Sequence, residues 1–142
     1  MSIQEVHHYL ESNDINPSVQ RVAIMQYMLE HFTHPTVDQI YSDLLPSMPT
    51  LSKATVYNTL KLFVDKKAVK SLFIDERNVR YDAVTKLHAH FKCKQCGAIS
   101  DVPLEETDLP KFRGNSDLAP VETQIYFMGT CQKCDGHLSH VA

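Results

Sequence analysis

Apolar residues recur at helical spacing through the first 65 positions, interrupted by prolines and by residue types that cap helices. Ser2-Ile3-Gln4-Glu5 has the pattern of a capping box and is followed by Val6, Tyr9 and Leu10 on one face. Asn16-Pro17-Ser18 breaks the chain, and Ser18 is placed to cap a second helix with Val22, Met25, Met28, Leu29 and Phe32 as its apolar stripe. His34-Pro35-Thr36 ends that helix, and Thr36 opens a third with Val37, Ile40, Tyr41 and Leu44 at i, i+3, i+4, i+7. After a loop bracketed by Pro46 and Pro49, Ser52 caps a fourth helix of about 14 residues. Its apolar positions are Val56, Leu60, Phe63 and Val64, while Lys53, Tyr57, Asn58 and Lys61 lie largely on another face. The period then changes: Val69–Ile74 and Val79–Tyr81 are β-rich and flank the polar stretch 75–78, a strand-turn-strand pattern.

Three short helices, a capped fourth and a hairpin predict a winged helix-turn-helix over residues 1–83, with the fourth helix entering a major groove and the hairpin beside it. Residues 84–142 differ in texture. Alternating β-type runs occur at 90–93, 98–102 and 121–130, and the intervening Pro103–Pro120 holds three prolines with a weak helical pattern near 105–109. The expected fold class is therefore α+β, a winged-helix domain followed by a small α/β domain. The second domain has so little apolar content that its size calls for a staple.

At 142 residues, 43% hydrophobic and 22% charged, the chain has ordinary globular composition. A net charge of −3 excludes a simple polycation for nucleic acid. The charge is unevenly spread, however. Residues 1–82 carry 8 basic and 10 acidic side chains, whereas residues 50–70 carry five Lys against one Asp. Positive charge thus gathers around the candidate recognition helix, where phosphate contacts need it. The bland alternative is that Lys53 and Lys61 only solvate a helix face, and the acidic hairpin tip at Asp75 and Glu76 argues against a strongly phosphate-gripping wing. No run approaches the ~18 apolar residues of a membrane span, and no basic-then-apolar leader pattern opens the chain, so the cytoplasm is the expected compartment.

Four cysteines stand as Cys93-x-x-Cys96 and Cys131-x-x-Cys134. In a reducing compartment two equally spaced pairs read as four thiolates for a tetrahedral Zn2+; a redox dithiol or four buried thiols are the alternatives. His88 and His90 share one face if they lie on a strand, with Asp82 before them, Asp101 in the following strand and His34 in an earlier loop. Imidazole and carboxylate together suit Fe(II), Mn(II) or Zn(II), so a second, chemically distinct metal site is available. His7, His8, His31, His137 and His140 read as surface residues, the last two near enough to the cysteines to take up stray metal.

Taken together, Val19-Gln20-Arg21, His34-Pro35-Thr36, the run from Ser52 to Leu60, Arg80-Tyr81-Asp82, His88-Ala89-His90 and both C-x-x-C pairs resemble the ferric uptake regulator (Fur) family of metal-dependent repressors over essentially the whole chain. The peroxide-sensing PerR branch is the most similar, because both carboxylate positions are aspartates where iron-sensing relatives commonly have glutamates. The resemblance implies structural Zn2+ on Cys93, Cys96, Cys131 and Cys134, and a regulatory Fe2+ or Mn2+ on His34, Asp82, His88, His90 and Asp101. It also implies a homodimer on a near-palindromic double-stranded DNA operator, with contacts from Lys53, Ala54, Thr55, Tyr57 and Asn58 and a backbone contact from Arg21. The second domain is then the dimerisation domain. Departures exist: Leu87-His88-Ala89-His90 replaces a common H-H-D-H run, and Glu122-Thr123-Gln124 lacks a histidine found in iron sensors. The additional metal site of those relatives is not expected here, and the helix usual within 103–120 is expected to be short or absent.

The mechanism this implies is release of the operator after hydrogen peroxide, reacting at iron, oxidises His34 or His88. An iron-responsive repressor of iron uptake, or a zinc or manganese sensor, shares every gross feature. No enzyme is expected: a zinc deaminase needs H-x-E and P-C-x-x-C, and the chain has neither. A non-haem iron oxygenase needs three protein ligands with open positions, and five candidates stand here. A zinc-stapled interaction module with an idle winged helix is the remaining class.

Overall fold

A computed structural model describes residues 1–113, Asp117 and 122–135. The chain divides into two compact units, the first Met1–Thr85 and the second beginning at Lys86.

In the first unit, α1 (Ile3–Ser12), α2 (Val19–Glu30), α3 (Val37–Leu44) and α4 (Lys53–Asp65) precede a hairpin of β1 (Lys70–Leu72) and β2 (Arg80–Asp82). Each helix starts where a hydroxyl can satisfy an orphan backbone donor. Ser2 and Glu5 form a reciprocal capping box, as do Thr36 and Gln39, while Ser18 and Ser52 accept from the N–H groups of Arg21 and Thr55. α2 packs against α1, α3 and α4. That central position buries Ile24 and Tyr27 as well as Val22, Met25 and Met28, so the single stripe expected for this helix is too narrow. The expected end of α2 is also corrected. The helix stops at Glu30, which leaves Phe32 beyond it and 56% exposed rather than on the buried stripe. β1 is shorter than the run Val69–Ile74, β2 is the run Val79–Tyr81 moved one residue on, and the two pair antiparallel, Lys70 opposite Asp82.

Val6, Leu10, Ile24, Met25, Met28, Ile40, Val56, Leu60 and Phe63 are fully excluded from solvent and make one core. Tyr9 ties α1 to the start of the hairpin, donating from its hydroxyl to the Ala68 carbonyl at 2.8 Å. Phe63→Ala is expected to cost this unit about 3–5 kcal/mol through lost transfer energy and an unfilled cavity. A urea titration followed by far-UV circular dichroism measures it; a loss below about 1 kcal/mol would mean that the α4 face is not the keystone of the core.

The second unit is a three-stranded sheet of order β4-β3-β5, built from β3 (Ala89–Cys93), β4 (Ile99–Val102) and β5 (Tyr126–Gly129). β3 pairs antiparallel with β4 and parallel with β5. The parallel pair requires a crossover, which starts with a 3-10 turn at Glu106–Asp108 and α5 (Leu109–Arg113). The weak helical pattern near 105–109 is thus mainly the 3-10 turn, and the α-helix itself is five residues long and lies after it; of the rest of that run to Pro120, only Asp117 is within the described residues. The strand expected at 121–130 is corrected to Tyr126–Gly129, with 122–125 irregular and residue 121 outside the described residues. Gly129 sits where an added Cβ would meet the Phe91 ring at 3.1 Å, so a larger residue there requires that ring to shift by a few tenths of an ångström.

Candidate metal centres

The four cysteines converge, with every Sγ within 4.8 Å of the others. Cys93 closes β3, and a turn through Gly97 (φ +78°) brings Cys96 back beside it, with the Gly97 N–H donating to the Cys93 carbonyl at 2.9 Å. Glycine is needed at that turn because a Cβ disfavours positive φ. Cys131 and Cys134 lie on a second tight turn just after β5, and the β3·β5 pairing aligns the two turns. The Cys96 and Cys131 sulfurs are 3.8 Å apart. A tetrahedral zinc with Zn–S near 2.3 Å separates its sulfurs by about 3.8 Å.

Electrostatics in this cluster also favour a cation. Backbone N–H groups of Cys96 and Cys131 point at the Cys93 sulfur and hold its thiol down at about 6. Hydrogen bonding with the Cys131 and Cys96 sulfurs instead pushes Cys134 up to about 12. A divalent cation among the four sulfurs would hold all of them as thiolates. The donor set fits zinc. A redox dithiol would use one C-x-x-C pair, whereas here the two pairs meet each other.

The imidazole and carboxylate candidates form one group in each unit. In the first, His34 and Asp82 are 4% and 3% exposed, and His34 Nε2 lies 3.8 Å from Asp82 Oδ2. In the second, His90 pairs across the ladder with Asp101, and Asp101 Oδ1 is 3.4 Å from His88 Nε2 and 3.5 Å from His90 Nε2. The expected common face holds: the His88 and His90 rings are 4.4 Å apart, although His88 precedes the first residue of β3. Among the described residues, His34, Asp82 and His90 are the only buried His, Asp, Glu, Lys or Arg. Burying ionisable groups is costly unless they are paired or ligate a metal, and this donor chemistry suits Fe(II), Mn(II) or Zn(II).

His34 has a left-handed backbone, φ +55°, a conformation that costs a non-glycine residue about 1–3 kcal/mol and persists only when its surroundings impose it. Two bonds from β2 hold it. The Tyr81 N–H donates to the Pro35 carbonyl at 3.0 Å, and the Arg80 guanidinium to the His34 carbonyl at 3.2 Å. Arg80 has no role in the sequence reading beyond its place in a motif. The available signal was β alternation, which sets Arg80 and Asp82 on the same face of β2.

On α4, Lys53, Ala54, Tyr57 and Asn58 are exposed and Thr55 is half-buried, opposite the buried Val56, Leu60 and Phe63. Lys53 rests 3.3 Å from Asp38, and the Thr55 hydroxyl accepts from that of Ser52. Arg21 lies on α2, not α4, and its guanidinium donates to the Asn16 carbonyl at 2.9 Å, a bond internal to the unit. The acidic wing tip is corrected in part. Asp75 accepts from Arg80 at 3.1 Å with its side chain only 11% exposed, so its charge is compensated and Glu76 alone presents negative charge there. Of the remaining histidines, His31 stacks on Tyr27 at 4.0 Å, and His137 and His140 lie outside the described residues.

The chain is similar to several known proteins. The Staphylococcus aureus (strain Mu50 / ATCC 700699) peroxide-responsive repressor PerR is 34% identical, with 94% of this chain and 97% of that protein covered. The solved structure of PerR from Streptococcus pyogenes, described for peroxide sensing and gene regulation, is 31% identical over 94% of this chain and 92% of its own, with a TM-score of 0.52. The Helicobacter pylori ferric uptake regulator Fur is similar in fold, with a TM-score of 0.74 at 17% identity and 94% of each chain covered. No helix among the described residues is long and apolar enough to cross a membrane. The model of the ferric uptake regulator family matches residues 3–123, and with these relatives it establishes that the chain belongs to that family.

Proposed function

We propose that this chain is a metal-dependent repressor that binds double-stranded DNA as a homodimer and senses hydrogen peroxide through oxidation of a histidine ligand. The observation that carries the reading is the donor set: three histidines with two aspartates, in a chain 34% identical to a peroxide-responsive repressor. Cys93, Cys96, Cys131 and Cys134 hold structural Zn2+. His34 and Asp82 from the first unit, with His88, His90 and Asp101 from the second, hold one regulatory Fe2+ or Mn2+. Bound iron supplies the reduction of peroxide, while manganese supports DNA binding and reacts poorly.

The residues do the rest. Ligands drawn from both units favour the DNA-competent arrangement by binding metal more tightly there than elsewhere. An imidazole of His34 or His88 that gains an oxygen atom loses its donor nitrogen geometry, and the preference disappears. Lys53, Ala54, Thr55, Tyr57 and Asn58 face the major groove, with Lys53 exchanging Asp38 for a phosphate. Arg21 supports the first turn of α2 and contacts the DNA backbone. Phe127 and Met128, 45% and 47% exposed on opposite faces of β5, leave apolar side chains on the second unit for a partner to cover.

Peptide-mapped mass spectrometry tests the sensing chemistry. Brief, mild peroxide treatment of the Fe(II)-loaded protein is expected to add one oxygen to the His34 or His88 peptide, with no addition in the Mn(II)-loaded control. Unmodified histidines with iron binding intact would replace this reading by an iron-responsive repressor of the same family.

A further inference from the structure

Arg80 touches two places that the proposed function treats separately. Its Nε donates to Asp75 Oδ2 at 3.1 Å, one terminal nitrogen lies 3.1 Å from the same oxygen as an ion pair, and the other terminal nitrogen donates to the His34 carbonyl at 3.2 Å. The other Asp75 oxygen accepts from the Arg77 N–H at 2.9 Å, closing the hairpin turn. One guanidinium therefore spans from the wing tip to the backbone of His34. Its side chain is 21% exposed and that of Asp75 is 11%, so solvent screens this chain of bonds little. A planar fork with several fixed donors can hold both acceptors at once, whereas an ammonium on a flexible stem lacks that geometry.

The geometry points to Arg80 as a positioning residue that couples the His34 ligand loop to the wing. It keeps His34 in its left-handed backbone, and through Asp75 it transmits the ordering of that loop to residues 75–78. This rests on the reading of His34 as a ligand of the regulatory metal. Filling the site then stiffens the hairpin beside the recognition helix, in addition to any effect on the relation between the units. Arg80 bonds the His34 backbone rather than its ring, and partners that fix the orientation of a ligand commonly alter metal affinity by about an order of magnitude.

The test uses the full chain and Mn(II), with affinity from competition against a chelating dye and hairpin order from amide hydrogen exchange over residues 71–81. In the wild type, Mn(II) is expected to slow hairpin exchange by about five-fold or more. Arg80→Lys is expected to bind Mn(II) about ten-fold more weakly. Asp75→Asn keeps an acceptor for Arg77 but removes the charge that holds Arg80; it is expected to bind Mn(II) nearly as the wild type while losing the metal-linked slowing. A merely structural role would speed exchange by the same factor with and without metal. Wild-type affinity in Arg80→Lys, or full metal-linked slowing in Asp75→Asn, overturns the coupling. If His34→Ala binds Mn(II) as the wild type does, the ligand assignment itself falls and the coupling with it. Asp75→Asn leaves the core untouched, so the coupling stays testable even where an Arg80 variant fails to fold.

Discussion

Cys96→Ser is expected to abolish stoichiometric zinc and unfold the second unit while the first keeps its helices. The reason lies in how little else holds that unit together. Among its described residues, the buried apolar side chains are Ala89 and Cys93, and Cys93 itself belongs to the cluster. The first unit, by contrast, buries side chains from all four helices and both strands. Zinc bound by small cysteine-rich units contributes on the order of 10 kcal/mol, comparable to the total stability of a typical domain, about 5–15 kcal/mol. Elemental analysis gives the metal content, and hydrogen exchange of the β3, β4 and β5 amides gives the local stability. A zinc-free variant whose β3 amides remain as protected as in the wild type would remove the staple from the account.

The second large effect is expected from His34→Ala combined with His88→Ala. These substitutions take one proposed ligand from each unit, so both parts of the proposed donor set are reduced. Mn(II)-supported affinity for an operator, selected by the wild-type protein from a random duplex pool, should fall by about 5–150-fold, the usual range of coupling between two sites. Metal-free affinity should stay near its wild-type value, because a metal shifts an equilibrium only by its differential affinity for the two states. Gel-shift titrations with and without Mn(II) measure both quantities. Retention of the full Mn(II) response in the double variant would sink the proposed regulatory site. A variant of the α4 face such as Lys53→Ala should behave differently, weakening binding in both conditions and flattening its salt dependence.

Much of this was legible beforehand for a local reason. Ser2, Ser18, Thr36 and Ser52 mark helix starts because capping needs only a hydroxyl and an N–H three residues on. The histidine pair was legible because strand geometry sets i and i+2 on one face, and the cysteine pairs because tetrahedral thiolate sites use short turns. The end of α2 was not. No C-terminal glycine marks it, and the helix stops at Glu30 although the apolar spacing continues to Phe32. The breadth of α2 burial was hidden as well, since it depends on which helices surround it.

The sequence by itself determined the order of elements, the face that α4 buries, the thiolate and imidazole–carboxylate donor sets, and the family. Each is written in residue types at short, fixed spacings. Only the tertiary structure decided what is brought together from afar. The β3·β5 pairing aligns two cysteine turns 35 or more residues apart, and Asp101 meets His88 and His90 through the β3·β4 register. Arg80 neutralises Asp75 and grips the backbone of His34, 46 residues away. These contacts follow from packing and strand register, whose energies are summed over the whole core, so no local stretch of sequence encodes them.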